Sequence, residues 1–97
     1  MNTTYSYFFN INIEKPLSEY EHDKIKNEIN DYIQEHGIIN CVLGKDYIRI
    51  SVPICKALQV YDELIVKLIR RVIVAYNEIK SFSIKVKETK KGGENND

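Results

Sequence analysis

The side chains best suited to catalysis or metal binding are few, and their spacing brings none of them together. His22 and His36 stand 14 positions apart, at opposite ends of one predicted helix, so they cannot share a metal ion. Cys41 and Cys55 lack the C-x-x-C spacing of zinc and redox sites and lie among apolar residues. We read them as buried free thiols, which indicates a reducing compartment. The sequence therefore predicts a protein without catalytic residues, metal or cofactor.

Four basic residues are the candidates for contact with nucleic acid. Arg70 and Arg71 lie in the middle of a predicted helix, and Lys85 and Lys87 belong to a basic run in the last predicted strand. Guanidinium groups bind phosphates and carboxylates through paired hydrogen bonds, while the alternative is that all four residues are solvated charges. The turn at 44–46 contains Gly and Lys but lacks the preceding glycine of a phosphate-binding loop, so we read it as a hairpin turn.

Length and composition restrict the class of protein. The chain has 97 residues, of which 43% are hydrophobic, and this suffices for one domain with a folded core. Its 14 basic and 14 acidic residues cancel, so no overall field favours a nucleic acid. We expect one folded domain over residues 1–88 and a disordered polar tail over 89–97. No signal peptide is visible and no apolar run approaches the ~18 residues of a membrane span, which favours a cytoplasmic protein.

The first half of the chain predicts one strand and one helix. Apolar and polar residues alternate over Tyr5–Glu14, which is the period of a strand with one dry face, and Pro16 ends it. Phe8 is the one large apolar residue on the wet side of that strand. The S-x-x-E sequence at 18–21 is a capping box, so we expect a helix from there to His36.

The second half predicts a hairpin, a long helix and a last strand. Short strands are expected at 38–43 and 47–52, on either side of the turn at 44–46. A helix follows over Ile54–Ile79, and alternation over Phe82–Val86 predicts a fourth strand. The order is β-α-β-β-α with a final β. We therefore expect an α+β fold, ferredoxin-like, in which two helices cover one face of an antiparallel sheet.

The helix predicted over Ile54–Ile79 carries more apolar surface than a small sheet can cover. Apolar residues recur along it at steps of three and four, and a second apolar line runs beside the first. Either this is a fully buried core helix, or its second face docks on another protein chain. The first line is Leu58, Tyr61, Ile65, Leu68, Val72, Ala75 and Ile79. The residues predicted to contact a partner are Tyr61, Ile65, Leu68, Ile69, Val72, Ile73 and Tyr76.

Several segments, taken in order, resemble a known family. A strand FFNINI leads into KPLSEYEHDKIKNEI, the hairpin CVLGKDYIRISV follows, and a long helix ends in VIVAYNEIKSF. These segments are similar to the small dimerisation subunit of the KEOPS complex, the family that includes the human cancer/testis antigens. The resemblance runs from Tyr7 to about Phe82 and consists of pattern and order rather than of an invariant signature.

The resemblance implies a non-catalytic scaffold subunit. KEOPS transfers a threonylcarbamoyl group to the adenine next to the anticodon of certain tRNAs, and its transferase and kinase-like subunits carry the chemistry. The small subunit packs its helices on the transferase and pairs with a second copy or a paralogue. The family's Arg and Asn on the second helix are replaced here by Asp62 and Lys67. That departure favours a divergent paralogue, like the fifth subunit of archaeal complexes, which forms a heterodimer and meets tRNA through the complex.

Three other classes of function stay open. One is a ferredoxin-like RNA- or DNA-binding module that uses Arg70, Arg71 and the basic run over 85–91. Another is a small viral or mobile-element interaction protein. The Asn-, Ile- and Lys-rich composition of the chain would suit an AT-rich genome. A regulatory domain of the ACT type ranks last, because the sequence contains no glycine-rich turn for a ligand.

Overall fold

A computed structural model describes residues 3–37 and 39–90, and the side chains of 5–37 and 39–88. The described chain forms a four-stranded sheet and two helices in the order β-α-β-β-α-β. The elements are β1 (Thr3–Ile13), α1 (Glu19–His36), β2 (Asn40–Leu43), β3 (Tyr47–Pro53), α2 (54–74) and β4 (Ile79–Lys90).

The sheet is antiparallel throughout, with the strand order β2-β3-β1-β4. Strand β1 is central and pairs with both β3 and β4, so each helix connects strands that are not neighbours. Both helices bury side chains against the same face of the sheet. The predicted α+β class is therefore confirmed, and this split β-α-β order is compatible with a ferredoxin-like arrangement.

The core lies between that face and the two helices. Alternate residues of β1 and β3 point into it, among them Phe9, Ile11 and Ile50, which are at most 2% exposed. Ile25 and Ile29 of α1 meet them from the helical layer. Each such side chain contributes roughly 1.5–3 kcal/mol by leaving water. The intervening residues of the strands form the second, uncovered face of the sheet.

Helix α1 begins and ends as its sequence predicts. The Ser18 hydroxyl accepts a hydrogen bond of 3.1 Å from the Glu21 backbone N–H, which satisfies one of the free amides of the first turn. Gly37 follows the last helical residue with φ of 91°, a left-handed value that glycine adopts without strain. The helix therefore stops at His36.

Helix α2 is a continuous but irregular helix. A 3-10 turn at Ile54–Lys56 leads into regular α-helix at Ala57–Val60. A π turn follows at Tyr61–Ile65, and regular α-helix resumes at Val66–Val74. A π turn closes hydrogen bonds five residues apart instead of four, so it accommodates one more residue than an α turn. The sequence pattern did not predict this turn.

The end of α2 corrects the prediction that the helix runs to Ile79. The helix ends at Val74, and Tyr76 has φ of 62°, which takes the chain out of the helical direction. The side chain of Asn77, just after the helix, is buried and hydrogen bonded to the backbone of Lys15. Ile79 consequently begins β4 and pairs with β1.

Strand β4 is longer than predicted. It pairs with β1 from Ile79 to Lys90, whereas the alternation in the sequence predicted a strand only over 82–86. Residues 89 and 90 of the predicted tail therefore belong to the sheet. The rest of that tail, 91–97, lies outside the described residues, as does Ile38 at the predicted start of β2.

Candidate partner-docking groove

An apolar groove of about 450 Å³ lies between the first turns of α2 and the neighbouring part of the sheet. Its floor belongs to β1 and β4, and its wall belongs to α2. None of its lining side chains is charged, and the only polar groups they carry are two tyrosine hydroxyls. The lining residues are Tyr7, Phe9, Ile54, Ala57, Leu58, Tyr61, Phe82 and Ile84.

The floor of the groove is a cluster of aromatic rings. Phe9 and Phe82 are nearly parallel, with ring centroids 6.4 Å apart and an interplanar angle of 7°. Tyr61 reaches down from α2 to within 6.4 Å of the Phe82 ring, and Tyr7 lies 6.3 Å from Phe9. Aromatic pairs at such distances add to the stabilisation from burial, so the floor is a preformed surface.

The π turn explains why the wall of the groove is open. The first buried stripe of α2 is Ala57, Val60 and Leu64, and a second stripe begins at Ile65, the last residue of the turn. The extra residue rotates the two segments relative to each other by about 100°. Leu58, which the spacing predicted to lie in line with Ile65, is therefore turned outward and is 74% exposed.

The far half of β4 leaves further apolar surface beside the groove. Ile84 and Val86 point toward the helical side of the sheet, opposite Phe9 and Tyr7 of β1. Both are exposed, as is Tyr5 at the same end of β1. The apolar surface therefore continues along β1 and β4 beyond the N-terminal end of α2.

The predicted partner-contact residues divide into three groups. Ile65, Leu68 and Val72 are at most 1% exposed and pack in this chain's own core, so their assignment to a partner surface is wrong. Tyr61 and Ile69 are partly buried against that core. The remaining two, Ile73 and Tyr76, are exposed at the C-terminal end of α2.

The predicted nucleic-acid contacts do not form one surface. The Arg71 guanidinium donates to the Glu28 carboxylate at 3.1 Å, so this residue joins α2 to α1. Arg70 is exposed on the helical layer. Lys85 and Lys87 lie on β4 and point to the uncovered face of the sheet. The arginines and lysines are therefore on opposite sides of the sheet.

A cluster of polar side chains joins α1 to α2. The Tyr32 hydroxyl donates a hydrogen bond of 2.9 Å to the Glu63 carboxylate. The His36 ring stacks on Tyr32 at 4.1 Å, and its Nε2 lies 3.8 Å from the same carboxylate. Burial, followed by the bond to Glu63, raises the pKa of Tyr32 to about 12. These contacts fasten α1 to α2.

The cysteines and acidic residues form no reactive centre in the described part of the chain. Burial raises the pKa of the Cys41 thiol to about 11, which keeps it protonated and unreactive at neutral pH. Cys55, predicted to be buried, is instead exposed. Among the described residues, no three His, Cys, Asp or Glu side chains are arranged to hold a metal ion. None of the described helices has the length and apolarity to cross a membrane.

Sequence reasoning missed most of the groove. Leu58 was placed in the buried line, and Ile54 was not singled out. The alternation predicts that Tyr7 and Ile84 face inward, which they do, but Ile84 is not covered by either described helix.

Comparison with known proteins gives no relative. No family model matches the chain, and neither the curated proteins nor the solved structures contain a match. Functional inference therefore depends on the residues themselves.

Proposed function

We propose that this chain is a non-catalytic scaffold subunit that binds a helix of a partner protein in the groove between α2 and β4. The observation that supports it best is the wall residue Leu58, an exposed leucine above a floor of aromatic rings. Amphipathic helices dock by inserting apolar side chains into grooves of this kind. A charged metabolite is a poorer fit, because the lining offers no charged group to orient it.

The resemblance to KEOPS small subunits gives the class of partner. We propose that the docked helix belongs to the transferase subunit of a KEOPS-type, tRNA-modifying complex and that the protein acts in the cytoplasm. The order of elements and the surplus apolar surface of α2 support this proposal. In it, the chemistry belongs to the transferase, and tRNA is met through the complex.

Pairing with a second small subunit is the other part of the proposed function, and the free edge of β4 suits it. Among the described strands, β4 has β1 as its only neighbour. Antiparallel pairing of two copies about a two-fold axis at Ile84 joins their apolar faces and sets no lysine opposite another lysine. The opposed pairs are Phe82 with Val86, Ser83 with Lys85, and Ser81 with Lys87.

A binding measurement with matched variants tests the docking. Leu58→Asp places a carboxylate in the groove, whereas Val74→Asp makes the same change at a site that is equally exposed but outside the groove. Calorimetric titration with the transferase subunit should show that the first variant weakens binding by about 30-fold or more, since charge burial at a contact centre costs at least ~2 kcal/mol. The second variant should bind like the unmodified chain. Equal binding by both variants, or none by the unmodified chain, contradicts the proposal.

A further inference from the structure

The uncovered face of the sheet carries a positive charge that the overall composition of the chain does not show. The chain as a whole is neutral, with 14 basic and 14 acidic residues. The strand registers bring Arg49 of β3 and Lys85 and Lys87 of β4 to the uncovered face. No outward position of the four described strands carries Asp or Glu. The face is therefore positive although the protein is neutral.

Two aromatic rings lie on the same face, each with a cation over the ring. The Lys87 ammonium is 5.2 Å from the centroid of the Phe8 ring, and the Arg49 guanidinium is 4.4 Å from the centroid of the Tyr47 ring. Phe8 also has Lys85 directly opposite it on β4. A base that stacks on either ring would take the place of this cation, which is then free to meet a phosphate. Stacking and phosphate neutralisation are the two contacts that single-stranded nucleic acids use most.

The spacing of the two rings suits an extended strand. Phe8 pairs with Ser51, which is four residues along β3 from Tyr47, so the rings are separated by about 13 Å along the strands. Between them lie the amide of Asn10 and the side chain of Arg49, which are directly opposite each other. An amide and a guanidinium are donors that reach base edges and phosphates. A double-stranded nucleic acid cannot stack its bases on Phe8 and Tyr47, because those bases are already stacked inside the duplex.

We propose that this face binds single-stranded nucleic acid, with bases stacked on Phe8 and Tyr47 and phosphates neutralised by Arg49, Lys85 and Lys87. The proposal goes beyond the scaffold function and does not depend on it, because the docking groove lies on the other face of the sheet. In this proposal the nucleic acid contacts the uncovered face of the sheet and not Arg70 and Arg71, which the sequence predicted as contacts. RNA and DNA share the chemistry used here, and the test separates them.

Fluorescence anisotropy with a labelled oligouridine, an oligodeoxyuridine and an abasic oligodeoxynucleotide of the same length tests this directly. With three phosphates neutralised, log Kobs should fall with log salt with a slope of about −2 for the first two probes. The abasic strand should bind more weakly, since it has nothing to stack. Oligouridine and oligodeoxyuridine differ only in the sugar, so a preference between them shows whether the face favours RNA or DNA.

Variants on the two faces make the result specific. Lys85→Gln with Lys87→Gln should reduce the salt slope to about −0.7, whereas Lys67→Gln with Arg70→Gln, on the helical layer, should leave it unchanged. Phe8→Leu should weaken binding by about 5-fold to 150-fold and Phe8→Tyr should preserve it, which separates stacking from folding. The proposal is overturned if the unmodified chain does not bind at low salt, if the abasic strand binds equally well, or if the helical variants reduce the slope as much as the lysine variants do.

Discussion

Leu64 and Ile65 are consecutive residues of α2, and both are buried in the same core, with 1% and 0% of their surface exposed. Neighbours in an α-helix point about 100° apart, so a single stripe cannot bury both equally well. The π turn at Tyr61–Ile65 reconciles them, because Leu64 ends one buried stripe and Ile65 begins the next. Removing one residue from that turn should therefore leave a regular helix with one continuous stripe.

Deletion of Asp62 tests the role of the π turn. Asp62 is an exposed residue of that turn, so we expect the shortened chain to fold with a free energy of unfolding within about 1 kcal/mol of the original. Deletion of the exposed residue Lys67 is the matched control. It rotates one half of the core stripe away from the sheet and should cost several kcal/mol, since each displaced core side chain is worth about 2–5 kcal/mol. Urea unfolding compares the two, and equal losses of stability would contradict this interpretation.

Asn77 holds the end of α2 to the loop between β1 and α1. Its Nδ2 donates to the Lys15 carbonyl at 2.9 Å, and its Oδ1 accepts from the backbone N–H groups of Lys15 and Glu78 at 3.0 and 2.9 Å. Asn77→Ala leaves these backbone groups without their partner and should lower the free energy of unfolding by about 2–4 kcal/mol. Asn40→Ala, an exposed change on β2, should alter it by less than about 0.5 kcal/mol. If Asn77→Ala lowers the free energy of unfolding no more than Asn40→Ala does, the hydrogen bonds of Asn77 do not stabilise the fold.

Charge variants of Ser83 test the pairing of two copies along β4. In the register centred on Ile84, each Ser83 faces Lys85 of the other copy, and this contact occurs twice. Ser83→Glu should tighten the dimer and Ser83→Lys should weaken it, each by about 2-fold to 30-fold in Kd, because a cross-strand pair is worth about 0.2–1 kcal/mol. Analytical ultracentrifugation measures both.

The control for that pairing is Asn40→Lys, which adds the same charge on β2, at the opposite edge of the sheet. It should leave the dimer unchanged. If the two Ser83 variants have equal association constants, or if the chain is monomeric at millimolar concentration, β4 is not the pairing edge.

The raised pKa of Tyr32 predicts a loss of stability in alkali. The value is about 12 in the folded chain, against 10.0 for a free tyrosine, because burial and the Glu63 carboxylate disfavour the phenolate. Its contribution is therefore complete below pH 10 and is lost as the pH rises through 12. Tyr32→Phe should be less stable than the original at pH 8, and the difference should shrink between pH 10 and 11.5 in urea titrations. A difference that does not change with pH would exclude this linkage, and the exposed change Tyr20→Phe serves as the control.

The sequence was sufficient for the fold class because its signals are local. The alternation over β1 and β3, the capping hydroxyl of Ser18 and the stop at Gly37 each determine an element within a few residues of themselves. The docking groove could not be predicted from local signals of this kind. The outward turn of Leu58 depends on the π turn, and the π turn depends on how α2 packs on the sheet.

The uncovered face shows the same limit. The sequence shows Phe8 as a large apolar residue on the wet side of its strand, and it has no basic neighbours along the chain. Its cation, Lys87, is on β4 and comes beside it only because β4 pairs with β1. The clamp between Asn77 and Lys15 likewise joins residues 62 positions apart. A local pattern carries no information about such pairings.

The docking groove can be tested most directly by methyl NMR of the chain, labelled at Ile, Leu and Val, during titration with the transferase subunit. Docking in the groove predicts that the methyl signals of Ile54, Leu58 and Ile84 shift or broaden first, while those of Ile73 and Val74, at the far end of α2, stay in place. Changes confined to Ile73 and Val74, or no change at any of the five, would contradict the docking of a partner helix between α2 and β4.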